Sequence, residues 1–192
     1  MPAKTSRKPT QKLNWLTKSQ LVTTDCPRDL QRWLLNKDSL TERLVAHSRG
    51  EFHVDVLAQY RAKAQPYEYT VLHTKRQRYC FIREVILFGH NQPWVFARTV
   101  IPLQTMTGRL SSLGGLNNKP LGAFLFSFPT MRRGISEFAN IRPEQQLVAK
   151  SLFANSESLW GRRSVFFLDN KPLLVNEIFL PTFTDSLKGN PT

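Results

Sequence analysis

The 192-residue sequence is short of cysteine, histidine and acid, and it has no long apolar run. Two cysteines, Cys26 and Cys80, cannot build the disulfide framework of a small secreted domain, so a reducing cytoplasm is the expected compartment. Neither has a partner at metal-ligand spacing, and His47, His53, His73 and His90 are scattered along the chain. No metal site and no cofactor are expected. Runs such as Ala123-Phe124-Leu125-Phe126 fall far below the roughly 20 residues that cross a bilayer, and the N-terminus lacks the apolar stretch of a secretory signal. Glycine forms no phosphate cradle, because Gly114-Gly115 leads into Asn117-Asn118 as a turn. There is no nucleophile elbow and no triad.

What is present is an ordinary globular mixture, 41% hydrophobic and 21% charged. A chain of this length buries enough surface for one domain. The net charge of +13 points to anionic partners and raises the question of nucleic acid. The excess is concentrated at the start and in the middle: residues 71–140 hold nine basic side chains and only two acids, Glu84 and Glu137. Residues 1–20, with Lys4, Arg7, Lys8, Lys12, Lys18 and no acid, read as a basic flexible leader. The domain is expected over 21–185, with a tail at 186–192, and the chain is expected to be a monomer.

Leu30, Trp33 and Leu34 share a helical face after Pro27, and Ser39-Leu40-Thr41-Glu42 reads as a capping box opening a second helix. Such a helix–turn–helix over 27–48 could read DNA. Here Lys37, Arg43 and Arg49 stand beside Asp38 and Glu42, leaving no basic recognition face, so no nucleic-acid partner is expected. Strand patterns follow at 52–56, at 79–88 and 94–102 around Gly89-His90-Asn91-Gln92, and at 164–168 and 171–180 around Asp169-Asn170. Helices are expected from Pro120 to Phe126 and over 143–155. The fold class is α+β, an antiparallel β-sheet with helices.

Two places carry chemistry. If residues 89–92 form the hairpin loop, Phe88 faces Pro93 and Arg83 faces Arg98, on a face otherwise lined by Phe81, Val85, Leu87, Trp94, Phe96 and Val100. Two guanidinium groups on an apolar face repel each other, and an anion between them removes the objection. The alternatives are that each pairs with a carboxylate of a neighbouring strand, or that loop length shifts the register. In the last strand Glu177 sits among Leu173, Val175 and Phe179. With Asp169-Asn170 as a two-residue turn, Arg162 lies near Glu177, so the carboxylate either forms a salt bridge there or accepts from a ligand hydroxyl.

The ordered set Trp33-Leu34-Leu35, Asp38-Ser39-Leu40-Thr41, Arg83-Glu84-Val85-Ile86-Leu87, Pro93-Trp94, Ala97-Arg98-Thr99-Val100-Ile101-Pro102, Pro120-Leu121-Gly122, Leu159-Trp160-Gly161-Arg162-Arg163-Ser164 and Lys171-Pro172-Leu173-Leu174 through Pro181 resembles the chorismate pyruvate-lyase family. The resemblance implies helical flaps over an internal ligand cavity. It also implies elimination of pyruvate from chorismate to give 4-hydroxybenzoate, the aromatic precursor in ubiquinone biosynthesis, without a cofactor. It places a carboxylate-binding, catalytic arginine at Arg83, the glutamate that meets the ring hydroxyl at Glu177, main-chain contacts at Leu40 and Leu121, and a second arginine, expected to meet the enolpyruvyl carboxylate, at Arg98. Leu40 departs from the methionine common in relatives, which a backbone contact tolerates. The effector domains of some bacterial transcription regulators resemble the same fold, so a ligand sensor is the alternative. No winged-helix domain is expected before this chain's fold.

Overall fold

Six strands, β1 (Phe52–Lys63), β2 (Tyr79–Gly89), β3 (Gln92–Pro102), β4 (Arg132–Ile141), β5 (Leu159–Leu168) and β6 (Lys171–Phe179), form one antiparallel sheet in the order β1-β2-β3-β6-β5-β4. The structure is a computed structural model and describes residues 13–75 and 78–188. The helices are α1 (Lys18–Leu21), α2 (Arg28–Leu34), α3 (Leu40–His47), α4 (Pro66–Val71), α5 (Leu121–Phe126) and α6 (Pro181–Lys188). Among the described residues no helix is long and apolar enough to cross a membrane. The α+β expectation holds.

Both sheet faces are covered. Leu30, Trp33 and Leu34 of α2, Leu44 of α3 and Phe183 of α6 pack on Val85, Leu87 and Val95. Beside them, α5 and a 3₁₀ segment at Gly108–Gly115 bury Leu110, Leu121 and Leu125 against Phe166 and Val175. On the far face α4 covers Cys80, Ile82, Val100 and Leu174 through Leu72, while Val148 and Phe153 cover Ile86, Phe96 and Ile178.

Two tight turns set the register. His90-Asn91 and Asp169-Asn170 take left-handed φ values of 51°, 56°, 49° and 61°, the backbone that a two-residue hairpin of native twist requires. At the second turn Leu168 faces Lys171 and Arg162 faces Glu177, as expected. The first differs in two ways. Its loop is two residues long, since Gly89 pairs Gln92, and a bulge lies beyond it, because Phe88 pairs Pro93 while Leu87 pairs Val95. Trp94 is the extra residue. It joins Val95 in the same core, and its indole lies so close over Gly89 that a Cβ there would come within 2.2 Å of the ring. The consequence is a one-residue slip: Arg83 pairs Thr99, and Arg98 pairs Glu84.

Other expectations needed adjustment. The latter part of the expected leader is structured: the Leu16 N–H donates to the Phe138 carbonyl at 2.6 Å and Leu16 accepts from Phe138 N–H at 2.9 Å, while Thr17 caps α1. Residues 1–12 lie outside the described residues. Residues 186–188 belong to α6 rather than to a tail. The segment expected as helix at 143–155 holds two short 3₁₀ turns, Pro143–Gln145 and Lys150–Phe153. Half of the capping box forms, with Ser39 Oγ accepting from the Glu42 N–H at 3.3 Å.

Candidate active site

Alternation along β2 sends Arg83, Val85 and Leu87 to the face beneath α3 and α5. Pairing carries that face across the sheet through Thr99 and Ala97 to Val175 and Glu177, and on to Arg162. Together with Leu40, Leu121 and Arg133 these residues enclose a cavity of about 50 Å³. Its lid is made where two helix starts meet: Leu40 and Leu121 are the first residues of α3 and α5, and a Cβ on Gly122 would stand 2.9 Å from Thr41 Oγ1. As first helical residues, Leu40 and Leu121 have N–H groups with no intrahelical acceptor.

Arg83 is 2% exposed. Its Nη2 donates to the Asn117 and Lys119 carbonyls at 2.8 and 3.0 Å, and its Nε is buried with no hydrogen-bond partner. No carboxylate among the described residues bridges it, and burial alone pulls its pKa below the ordinary value. A buried guanidinium in this condition has donors and charge available to an anion.

Glu177 lies across the cavity floor. Its Oε2 accepts a short hydrogen bond from Arg162 Nε and lies 3.8 Å from Arg133 Nη2. Its Oε1 accepts from no described residue. Arg162, 1% exposed, is ion-paired: beyond Glu177 its Nη1 reaches the carbonyls of Trp33, Leu34 and Asn36 at 3.1, 3.1 and 2.7 Å. The expected Arg162–Glu177 bridge is therefore present, and it also ties the flap to the sheet.

Arg98 does not reach the cavity. The slip at Trp94 turns it to the far face, where its Nε donates to Glu68 Oε1 at 2.7 Å and its Nη1 pairs with Glu84 and the Tyr60 hydroxyl. Burial lowers the Arg98 pKa, but the hydrogen bonds and charge of the fully buried Glu68, with Tyr60, outweigh it and raise the pKa. Pairing with neighbouring carboxylates is thus the outcome for Arg98, in place of the expected substrate contact. The sequence reading missed Glu68, placed in a polar stretch, and Arg133, on a strand not anticipated. A wider cleft of about 610 Å³ opens on the far face beside Leu13, Trp15, Tyr67 and Arg163. Its cation, Arg163, is paired with Glu137 at 2.8 Å, whereas Arg83 in the small cavity has no carboxylate partner among the described residues.

Fold and site together define a helix-lidded α+β domain with an arginine-lined internal cavity suited to a small carboxylate. The Chorismate lyase family model matches residues 10–187, and the chain belongs to that family. It is 37% identical over 177 residues to a protein of Psychromonas ingrahamii named "Probable chorismate pyruvate-lyase", covering 86% of this chain and 90% of the relative. A Photobacterium profundum protein of the same name is 39% identical over 153 residues, covering 77% and 76%. Among solved structures, the effector domain of PhnF from Mycobacterium smegmatis superposes with a TM-score of 0.59 at 16% identity over 77% of this chain and 91% of that one, a likeness of fold.

Proposed function

We propose that the chain is a chorismate pyruvate-lyase acting in the cytoplasm, and that this cavity is where pyruvate leaves chorismate. The observation that carries the reading is the pairing of Arg83, buried without a carboxylate, with Glu177, whose Oε1 is open. In this reading Arg83 and the Leu121 N–H hold the ring carboxylate, while Glu177 and the Leu40 N–H meet the C4 hydroxyl.

In the reaction the C3–oxygen bond breaks, the hydrogen on C4 leaves, and the ring becomes aromatic. The trans arrangement of the two oxygens puts that hydrogen on the same side as the departing ether, so the enolpyruvyl methylene can take the proton in a cyclic transition state. The methylene becomes the methyl of pyruvate and the ether oxygen its carbonyl. Such a path needs positioning and a preorganised field more than a strong base. The geometry of Glu177 suits an orienting role: its Oε2 is engaged by Arg162, which leaves Oε1 to accept from the C4 hydroxyl.

Incubation with chorismate should give equimolar 4-hydroxybenzoate and pyruvate by chromatography. Glu177→Gln should keep measurable single-turnover chemistry, and a dead Gln variant with normal ligand affinity would assign Glu177 as the base. The shared fold with effector domains supports a second reading, a sensor, which binding of chorismate without turnover would favour.

A further inference from the structure

We infer that Arg133 is the group that binds the enolpyruvyl carboxylate of the substrate, an inference that rests on the lyase reading above. Chorismate brings two carboxylates into a closed cavity, and a buried carboxylate without a cationic or hydrogen-bonding partner is costly. Arg83 serves one. Of the remaining candidates, Arg98 is on the far face and Arg162 has its charge compensated by Glu177, with its Nη1 turned to three flap carbonyls.

Arg133 is differently placed. Its side chain is 11% exposed and lines the cavity. Its direct partners are neutral: Ser164 Oγ accepts from Nε and Nη2 at 3.2 and 3.0 Å, and the Lys37 carbonyl accepts from Nη1 at 3.2 Å. The carboxylate of Glu177 stands off at 3.8 Å, already engaged by Arg162. Burial, then the positive charge of Arg162, lower its pKa to about 10, against the opposing pull of Glu177 and Asp38. A cation in that balance gains more from a new anion than a fully paired one does.

Its orientation is built in. Register shifts between Arg133 and Ser136, which pair Phe166 and Ser164 respectively, so β4 carries one extra residue at the bulge. Phe166, Ser164 and Arg162 alternate onto the cavity face of β5, and the bulge brings both Arg133 and Ser136 to that face. Without it Gly134 would occupy the position and Arg133 would point away.

The span also suits a dianion. Arg83 on β2 and Arg133 on β4 are separated by four inter-strand steps of about 4.8 Å, roughly 19 Å between backbones in a flat sheet, which two long side chains narrow to small-molecule size. The ring carboxylate then lies at the Arg83 end and the enolpyruvyl carboxylate at the Arg133 end. Charge that develops on the departing group accumulates beside a fixed guanidinium.

The product lacks the second carboxylate, and that supplies the test. In Arg133→Met, with folding checked by circular dichroism and melting temperature, kcat/KM for chorismate should fall at least 30-fold while 4-hydroxybenzoate affinity by calorimetry changes less than 3-fold. Arg133→Lys should recover part of the loss. A stable ring analogue, 3-carboxymethoxy-4-hydroxybenzoate, should lose affinity in the Met variant although 4-hydroxybenzoate does not. Equal losses for product and substrate would make Arg133 a flap latch acting through Lys37 and overturn the inference, as would an unchanged kcat/KM. Failure of the wild-type chain to turn over chorismate would instead sink the lyase reading, while the analogue comparison still reports on Arg133.

Discussion

Arg83 is the proposed receptor for the ring carboxylate, and its surroundings explain why it is uncommitted. Residues 71–140 carry only two acids, and both are committed on the far face, Glu84 to Arg98 and Glu137 to Arg163. Arg83 is left with carbonyl partners and an unused Nε. Arg83→Ala should weaken 4-hydroxybenzoate binding by about 1.5–3 kcal/mol, the scale of a hydrogen bond to a charged group, and Arg83→Lys should rescue poorly because it lacks the planar fork. Calorimetry showing unchanged affinity in a folded Ala variant would remove Arg83 from the site. The same scale shows what could be read in advance. Glu177 opposite Arg162 follows from counting back from Asp169-Asn170, a turn whose chemistry is local. Arg83 opposite Arg98 does not, because the slip is caused by the Trp94 indole seated over Gly89, a tertiary contact that no alternation pattern announces. The thiols of Cys26 and Cys80 are buried, and burial pushes their pKa values up to about 12 and about 11, so neither offers a nucleophile.

At the scale of elements, the two helix starts that form the lid are legible in the sequence. Ser39 and Pro120 mark the starts of α3 and α5, and these starts meet through Gly122. Elements with weak patterns were lost to sequence reading. In β4, Arg132-Arg133-Gly134 and the exposed Ile135 break alternation at the bulge, and α4 hides in a polar stretch because its Glu68 is buried only by pairing with Arg98. The cavity of about 50 Å³ is far below the roughly 300–1,000 Å³ typical of small-molecule sites, so the proposed reading predicts that the lid moves to admit ligand. The Arg162 and Arg133 bonds to the carbonyls of Asn36 and Lys37 pin the hinge of that lid to the sheet. Adding 4-hydroxybenzoate should raise amide protection at residues 36–44 and near Leu121 in hydrogen exchange. Tight binding with unchanged exchange at 36–44 would place the entry route elsewhere.

Across the whole molecule the sheet divides the charged groups, with the proposed ligand cavity on the face beneath α3 and α5 and an ion network on the other. Glu68, fully buried, takes two hydrogen bonds from Arg98, and Glu84 and Tyr60 complete the network. Removing one partner of such a pair leaves an uncompensated buried charge, whereas replacing both with apolar groups often costs little. Arg98→Met strands the buried Glu68 and should therefore lower unfolding free energy by about 3–5 kcal/mol, and adding Glu68→Leu should restore much of it. Because the slip at Trp94 turns Arg98 away from the cavity, the double variant should bind 4-hydroxybenzoate with wild-type affinity. Denaturant unfolding and calorimetry on the same samples separate the two effects. If the refolded, stable double variant loses ligand affinity, the two faces are coupled through β3 and Arg98 acts on the site from behind the sheet. If it keeps affinity, the basic excess of the chain divides in two, with Arg98 neutralised for stability and Arg83 left open for the substrate.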